Sequence, residues 1–518
     1  MARYREYFQD QARLLPISLA QQIQPGTIEY TIHYLVDHGV DLSVFDSRYR
    51  NDATGAPAID PAILLKIILF AYSRGILSSR QIAQSCEENV VFMALACDTR
   101  PHFTTIADFI SSASEQISAI FRDILAVCYA EGLIGRTMFA VDGCKIASNC
   151  AKEWSGTKKE LKKKAEKIEQ SVRLLIERHR AADTAPPEPG HQEKEKRAIE
   201  NLQAKAAKIR SWLDTHEERI GSQGKPVKSN IIDNESAKMP SSHGVIQGYN
   251  AFAVVDEKHQ IVVDTKVFGD GHEARHLLEV LDSVAQTFRA LDSSCDVLHQ
   301  VVLTADSGFH SEESVKGVLE REVDAYVADN KFRLRDPRFA TLQEHRGKTT
   351  DRSQTSRARK YFGPADFPFD ESSGVVVCPA GHPMKCSCRN FKTGPNGFRG
   401  KFYKADPAHC ADCLLRPRCI RNPATKARQM AKLEKGIRGD TQSYTQKMIE
   451  RFDCPRGRYY YSRRMGTVEP VFANIRSTLD LDRFTLRGRR KVGIQWMLFC
   501  MVHNLGKLAR YGRGVKGT

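Results

Sequence analysis

The sequence predicts an α/β protein, a mixed sheet with flanking helices, extended by an all-α N-terminal region, a helical hairpin and a Cys-rich module. Three observations carry this. Apolar residues recur at helical spacing up to about residue 130. From 136 short β-prone runs alternate with helical ones. Two long segments then break that alternation, one charged and heptad-like, the other Gly-, Pro- and Cys-rich.

Residues 1–130 read as helices. Asp60 is an N-cap for Pro61-Ala-Ile-Leu-Leu-Lys-Ile-Ile-Leu-Phe-Ala-Tyr72, with Pro at the first helical position, and Gly75 ends the run. A second helix starts at Ser78-Ser79 and runs through Cys86. Two helices joined by a short Gly turn are either a helix-turn-helix for DNA or an ordinary packed pair.

The core is expected over 136–330. Thr137-Met-Phe-Ala-Val141 opens it as a strand. Val245–Val255 and Gln260–Val267 follow as an antiparallel pair around Asp256-Glu-Lys-His259. A helix over 273–289, a strand ending at Asp306, a helix from Ser311 and a short strand Asp324-Ala-Tyr-Val327 complete the series. Within this region 156–220 is strongly charged. Leu161, Ile168, Val172 and Leu175, then Ile199, Leu202, Ile209 and Leu213, fall near heptad spacing on either side of Pro186-Pro-Glu-Pro-Gly190, which no helix crosses. Its Lys158-Lys159 and Lys162-Lys163-Lys164 either meet DNA or form a solvated face. Residues 335–455 form the Cys-rich module, and 456–518 return to helices.

At 518 residues the chain has room for two to four domains. Lys and Arg number 78 against 62 Asp and Glu, a net charge of +16, which favours a polyanionic partner. The charged start, MARYREYFQDQARLLPISLA, has no signal-peptide core, and Trp496–Val502 is too short to span a bilayer. A soluble, cytoplasmic protein is expected. Of fourteen Cys, six lie between 378 and 419, and in a reducing compartment such a cluster points to metal rather than disulfides. Cys410-x-x-Cys413 has knuckle spacing. The ligand set chosen for a structural Zn²⁺ is Cys378, Cys410, Cys413 and Cys419, with His382 and Cys386 as substitutes.

Three acidic residues stand out. Asp142 in Phe139-Ala-Val-Asp-Gly143 and Asp306 in Val301-Val-Leu-Thr-Ala-Asp-Ser-Gly308 end apolar β-prone runs. Glu469, in Arg464-Met-Gly-Thr-Val-Glu-Pro470, opens a helix-like run beginning near Thr467. Carboxylates so placed can hold two Mg²⁺ ions over a phosphate, because Mg²⁺ takes hard oxygen ligands and keeps positions open. Singly each is weak: Asp-Gly is a common turn, and the other two suit helix starts. Seven residues make about two turns, so Glu469, Phe472 or Ala473, and Arg476 share a helix face.

With that element order, these residues resemble the ribonuclease H-like core of DDE transposases from bacterial insertion sequences. Pro61–Phe109, with Gly75-Ile-Leu-Ser-Ser-Arg80 and Thr104-Thr-Ile-Ala-Asp-Phe109, resembles the helical domain that precedes it. Tyr461–Arg476 resembles a Tyr-Arg-Glu-Lys signature in which Tyr461, Arg464 and Arg476 contact DNA. Here Arg476 replaces the Lys, and Arg464 lies one residue further from the Glu than in that pattern. Phe484-Thr-Leu-Arg-Gly488 through Trp496 to Lys507 is also similar. The resemblance implies metal-dependent cleavage and strand transfer on double-stranded DNA, the element ends and the target. Asp142 would bridge two Mg²⁺ (or Mn²⁺), with Asp306 and Glu469 each holding one. It also implies a homodimer or higher oligomer on DNA. The alternatives are a ribonuclease H-like nuclease or a DNA-binding protein derived from a transposase. A rival motif, His272-Glu273-Ala-Arg-His276, fits a zinc-protease pattern, but no third ligand announces itself and a capped helix start is expected there.

Overall fold

The computed structural model describes residues 18–49, 57–182, 191–221, 224–241, 244–339, 361–370, 374–393, 398–433 and 443–514. The Pro186–Gly190 break lies outside them. The chain forms two compact units. One joins the residues up to Phe332 with those from Tyr444 onward, and the other is Arg333–Ser443. Secondary structure is mixed α/β.

Six helices come first: α1 (Ile28–His38), α2 (Pro61–Ser73), α3 (Ser79–Glu88), α4 (Val90–Leu95), α5 (Phe103–Ser112) and α6 (Ser114–Ala130). The α2 start is as read: Asp60 Oδ1 accepts from Ala62 N at 2.8 Å and Pro61 follows the cap. Gly75 has φ +71°, which stops the helix at little steric cost. Every α2 residue from Leu64 to Tyr72 is buried, including Lys66, whose ammonium pairs with Asp37 at 2.6 Å. A helix apolar all round belongs inside a core and has no face left for a DNA groove. Its neighbour α3 buries only Ile82 and Cys86.

The mixed sheet has six strands: β1 (Met138–Ala147), β2 (Ala237–Ser241), β3 (Gly244–Asp256), β4 (Val262–Phe268), β5 (Val302–Ala305) and β6 (Ala325–Val327). β1 lies antiparallel to β3 and parallel to β5, which is parallel to β6. β4 and the short β2 pair with successive parts of the far edge of β3, giving the order β4-β3-β1-β5-β6. Parallel neighbours need crossovers. Here α9 (Leu277–Leu291) and α10 (Glu312–Glu320) follow two antiparallel-helix elements, α7 (Lys158–Ala182) and α8 (His191–Thr215). Leu161, Ala165, Ile209 and Trp212 form the dry seam of α7 and α8, and a two-pronged Arg210–Glu169 pair at 2.9 Å holds their register.

Two expectations change. β1 does not stop at Asp142 but runs on to Ala147, because β3 continues beside it as far as Gly248. Gly143 is a packing glycine rather than a turn: a Cβ there would stand 2.7 Å from both Asn250 Oδ1 and the Phe252 ring. Glu469 does not open its helix. It sits near the end of α12 (Pro455–Ala473), which follows α11 (Tyr444–Asp453) and leads into a π turn, Asn474–Thr478. Pro470 cannot donate to Gly466 O. That carbonyl instead accepts from Gln260 Nε2 at 3.0 Å. The last helix, α13 (Arg489–Tyr511), is buried along most of its length and packs on α2, α6 and β4. Trp496 Nε1 donates to Phe252 O at 2.8 Å. The Asn504 amide serves both Val262 N and Val262 O at 2.8 Å.

The second unit is an antiparallel sheet, unforeseen in a segment with so little periodicity. It runs in neighbour order through β7 (Phe369–Asp370), β8 (Val375–Val377), β9 (Pro383–Thr393), β10 (Phe398–Lys404) and β11 (Gln429–Leu433). Phe367, Val376, Met384 and Tyr403 form its core. Among the described residues no helix is long and apolar enough to cross a membrane.

Candidate active site

Strand register brings the first two carboxylates together. The parallel ladder of β1 and β5 ends on the pair Val141 and Ala305, and the next residue on each strand is an aspartate. Asp306 caps the following turn, its Oδ1 accepting from Gly308 N at 2.8 Å. Helix α12 packs across β1 and β5 and carries Glu469 to the same place. Asp142, Asp306 and Glu469 line one open cleft of about 720 Å³, together with Lys145, Glu273, Phe472, Arg476 and Arg483. Glu469 and Phe472 on α12 and Arg476 in the π turn after it line the same cleft, so the shared face expected from α-helical spacing is interrupted before Arg476.

Asp142 and Asp306 are partly buried, and Glu469 is exposed. Burial pushes the Asp142 carboxyl up to about 7, Arg464 opposes the rise, and nearby Asp306 and Glu273 add to it. Arg464 lies 2.7 Å from Asp142 Oδ2 and is only 5 % exposed, and Gly143 N donates to Oδ1 at 2.8 Å. The neutral form is favoured where a carboxylate leaves water and meets like charges.

The signature residues therefore divide. Arg476 faces the cleft. Arg464 points inward to Asp142 rather than outward to a phosphate. Tyr461 packs edge-on against Phe332 and Phe452. The His-Glu-x-x-His segment is a separate 3-10 turn, Glu273–Arg275, and α9 begins only at Leu277 with no side-chain cap hydrogen bond, so the capped helix start expected there does not form. Its histidines do not form a zinc pair: His276 stacks on Phe268 and its Nε2 meets Asp270 Oδ2 at 2.9 Å. Glu273, however, lines the cleft, accepts from Asn250 Nδ2 at 3.1 Å, and is raised by burial and by Asp306. Sequence reasoning missed it, as it missed Lys145, Asn250 and Arg483. The available signal was an acidic residue directly after a strand and a Gly-Asp-Gly turn.

The carboxylates of Asp142, Asp306, Glu469 and Glu273 are hard donors that suit a hard cation, with Lys145, Arg476 and Arg483 set around them. Asn250 is fully buried, and its Oδ1 has no hydrogen-bond partner among the described residues. Among the described residues, no group of three or more His, Cys, Asp or Glu side chains forms a ready-made metal cage.

In the second unit, Cys378, Cys410, Cys413 and Cys419 line one small cavity with His382 and His409. Burial raises the Cys419 thiol, Arg428 opposes this, and the other three thiols add to it, so the four are electrostatic neighbours. Cys386 is exposed and does not line the cavity, whereas His382 does.

Residues 377–509 match the family model described as transposase DDE domain, and residues 17–112 match that of a transposase domain (DUF772). No curated protein matches the chain.

Proposed function

We propose that this chain is a DDE transposase of the insertion-sequence type, as the matches of residues 17–112 and 377–509 to transposase families support, and that its carboxylate cleft cuts the ends of the element and joins them to target DNA. The observation that carries this reading is the meeting of Asp142, Asp306 and Glu469 in one open cleft. The strand order, with the second core strand antiparallel, supports a ribonuclease H-like class for the core. Two Mg²⁺ (or Mn²⁺) ions would be held by Asp142 between them, with Asp306 and Glu469 on one each. When bound, such ions supply activation of the attacking hydroxyl and charge neutralisation at the phosphate.

The rest falls to side chains of this chain. Arg464 keeps Asp142 oriented from behind, leaving the cleft side of the carboxylate for ligand. Arg476, Arg483 and Lys145 attract phosphates on the cleft walls. Glu469, exposed near the end of α12, closes the triad from the helix side. In cleavage a water oxygen bonds to phosphorus and the element's 3′ oxygen leaves. In joining that 3′ hydroxyl bonds to a target phosphorus and a target 3′ oxygen leaves. One phosphodiester is broken for each one made in the joining step, so no oxidant or energy source enters. Holding two ends at once calls for at least a dimer on DNA, acting at the nucleoid in the cytoplasm.

The second unit is assigned a structural Zn²⁺ on Cys378, Cys410, Cys413 and Cys419, with His382 as the nearest substitute. Four thiols around one small cavity are a soft donor set of the kind zinc takes. The test of the main reading is incubation with labelled element-end DNA and Mg²⁺, read on strand-resolving gels. Asp142→Asn, Asp306→Asn and Glu469→Gln should each lower cleavage and joining by about a thousandfold or more while DNA binding persists. Cutting by Glu469→Gln at the wild-type rate would remove Glu469 from the site.

A further inference from the structure

Glu273 has no part in the scheme above, yet the fold takes trouble to put it there. β4 ends at Phe268, a tight turn follows, and the single turn Glu273–Arg275 aims the carboxylate back over the sheet. Its two oxygens are treated differently. Oε1 accepts from Asn250 Nδ2 at 3.1 Å and lies 3.8 Å from Lys145 Nζ. Oε2 lies over Gly308, in the space that a side chain at that position would fill. The same point above Gly308 is 3.0 Å from Asp306 Oδ1. Glu273 Oε2 thus fills the space above Gly308 with Asp306 Oδ1 close by, and glycine is the residue that leaves room for it.

Like charges so close repel, and the ammonium of Lys145 stands on the other oxygen of Glu273. A Glu kept only for its bond to Lys145 has no reason to set its second oxygen beside Asp306. Asn250 gives an independent indication. It is fully buried, it holds Glu273 through its amide nitrogen, and its Oδ1, beside Gly143 on the cleft wall, has no partner among the described residues. Buried polar atoms are normally satisfied, so an orphaned oxygen at this position marks a place for a ligand.

We infer that Glu273 is a fourth acidic ligand of the cleft, sharing with Asp306 the same divalent cation and held for that purpose by Asn250. The inference rests on the two-cation reading of the cleft. It alters the expectation from sequence that a change at Glu273 touches only the start of α9.

The test is Mn²⁺ binding to the full chain without DNA, followed by the paramagnetic resonance of free Mn²⁺. Compared are the wild type, Glu273→Gln, Gly308→Ala, Asp142→Asn and Asp306→Asn, with exposed Glu87→Gln on α3 as control. Glu273→Gln should weaken Mn²⁺ binding at least tenfold. Gly308→Ala should weaken it too, because the added methyl displaces Glu273 Oε2 without removing a charge, and this variant decides the matter if Glu273→Gln misfolds. Glu87→Gln should bind as wild type. Equal binding by the wild type, Glu273→Gln and Gly308→Ala, with binding lost in Asp142→Asn and Asp306→Asn, overturns the role of Glu273 and leaves the triad standing. Unchanged binding in Asp142→Asn and Asp306→Asn overturns the cation reading itself, and the role of Glu273 with it.

Discussion

Asp142 shows how far one residue's meaning depends on its neighbours. Its carboxyl is held near neutrality by burial and by two acidic neighbours, and Arg464 is the counter-charge that limits the rise. Removing one member of a buried pair costs about 3–5 kcal/mol when the other stays charged. Asp142 has an escape, since it can take up a proton. With a folded value near 7 against 3.8 unfolded, its favourable contribution is full below pH 3.8 and is lost as pH rises through 7. Arg464→Met should raise that folded value further. Urea unfolding in the presence of a chelator should therefore show a larger deficit for Arg464→Met at pH 8 than at pH 6. Equal deficits at the two pH values would mean that Arg464 supports the fold by packing alone.

At the scale of elements, α13 acts as a clamp on the β4 edge. His503 is 3 % exposed and held from both sides. Its Nε2 donates to Gln260 O at 2.9 Å, so Nδ1 is left to accept from Asn474 Nδ2 at 3.0 Å. This network suits the neutral ring, and burial pushes the imidazole down to about 4. A lowered folded value means that stability is full above the unfolded value of 6.5 and declines as pH falls towards 4. The loss is on the order of 3 kcal/mol at one 1.36 kcal/mol step per pKa unit. Thermal melts of His503→Gln should show less of this decline than the wild type between pH 6.5 and 4. The thiol cavity belongs to the same scale. Cys413→Ser should release zinc and loosen residues 333–443, seen as faster proteolysis there, while the melting of the larger unit is kept. Metal analysis that finds no zinc in the wild type would remove this assignment.

For the whole molecule, the surplus of +16 sets the response to salt. Lys159, Lys162 and Lys163 on α7 and Arg490 and Lys491 at the start of α13 are exposed. Lys164 is engaged, donating to Glu153 O and lying over the Trp154 ring. About five phosphate contacts would make log affinity for end DNA fall with log salt at a slope near −4 to −5. Lys162→Gln with Lys163→Gln should reduce that slope by about 1–2 if α7 meets DNA, and leave it unchanged if it is a solvated face. A flat salt response in the wild type would count against nucleic acid as the partner.

The sequence alone was enough for the α2 cap at Asp60, for the strands and helices from Met138 to Val327 other than β2, and for the heptad seam of α7 and α8, and it singled out three acidic residues that the fold brings to one cleft. Each is local: a capping residue, a period of two or 3.6, or an acid beside an apolar run leaves its mark within a few positions. What lay beyond it was decided by pairing between distant segments. β1 passes through Asp-Gly because β3 lies alongside, and Gly143 gives Asn250 and Phe252 room. Arg464 turned from a phosphate contact into the partner of Asp142 because α12 packs over the sheet. The antiparallel sheet of the second unit leaves no alternation to read in a segment so rich in Gly, Pro and Cys. Glu273 reaches the cleft only because β4 and α9 fold back over Gly308, a juxtaposition no spacing records, since the distance that matters runs through space between residues far apart in the chain.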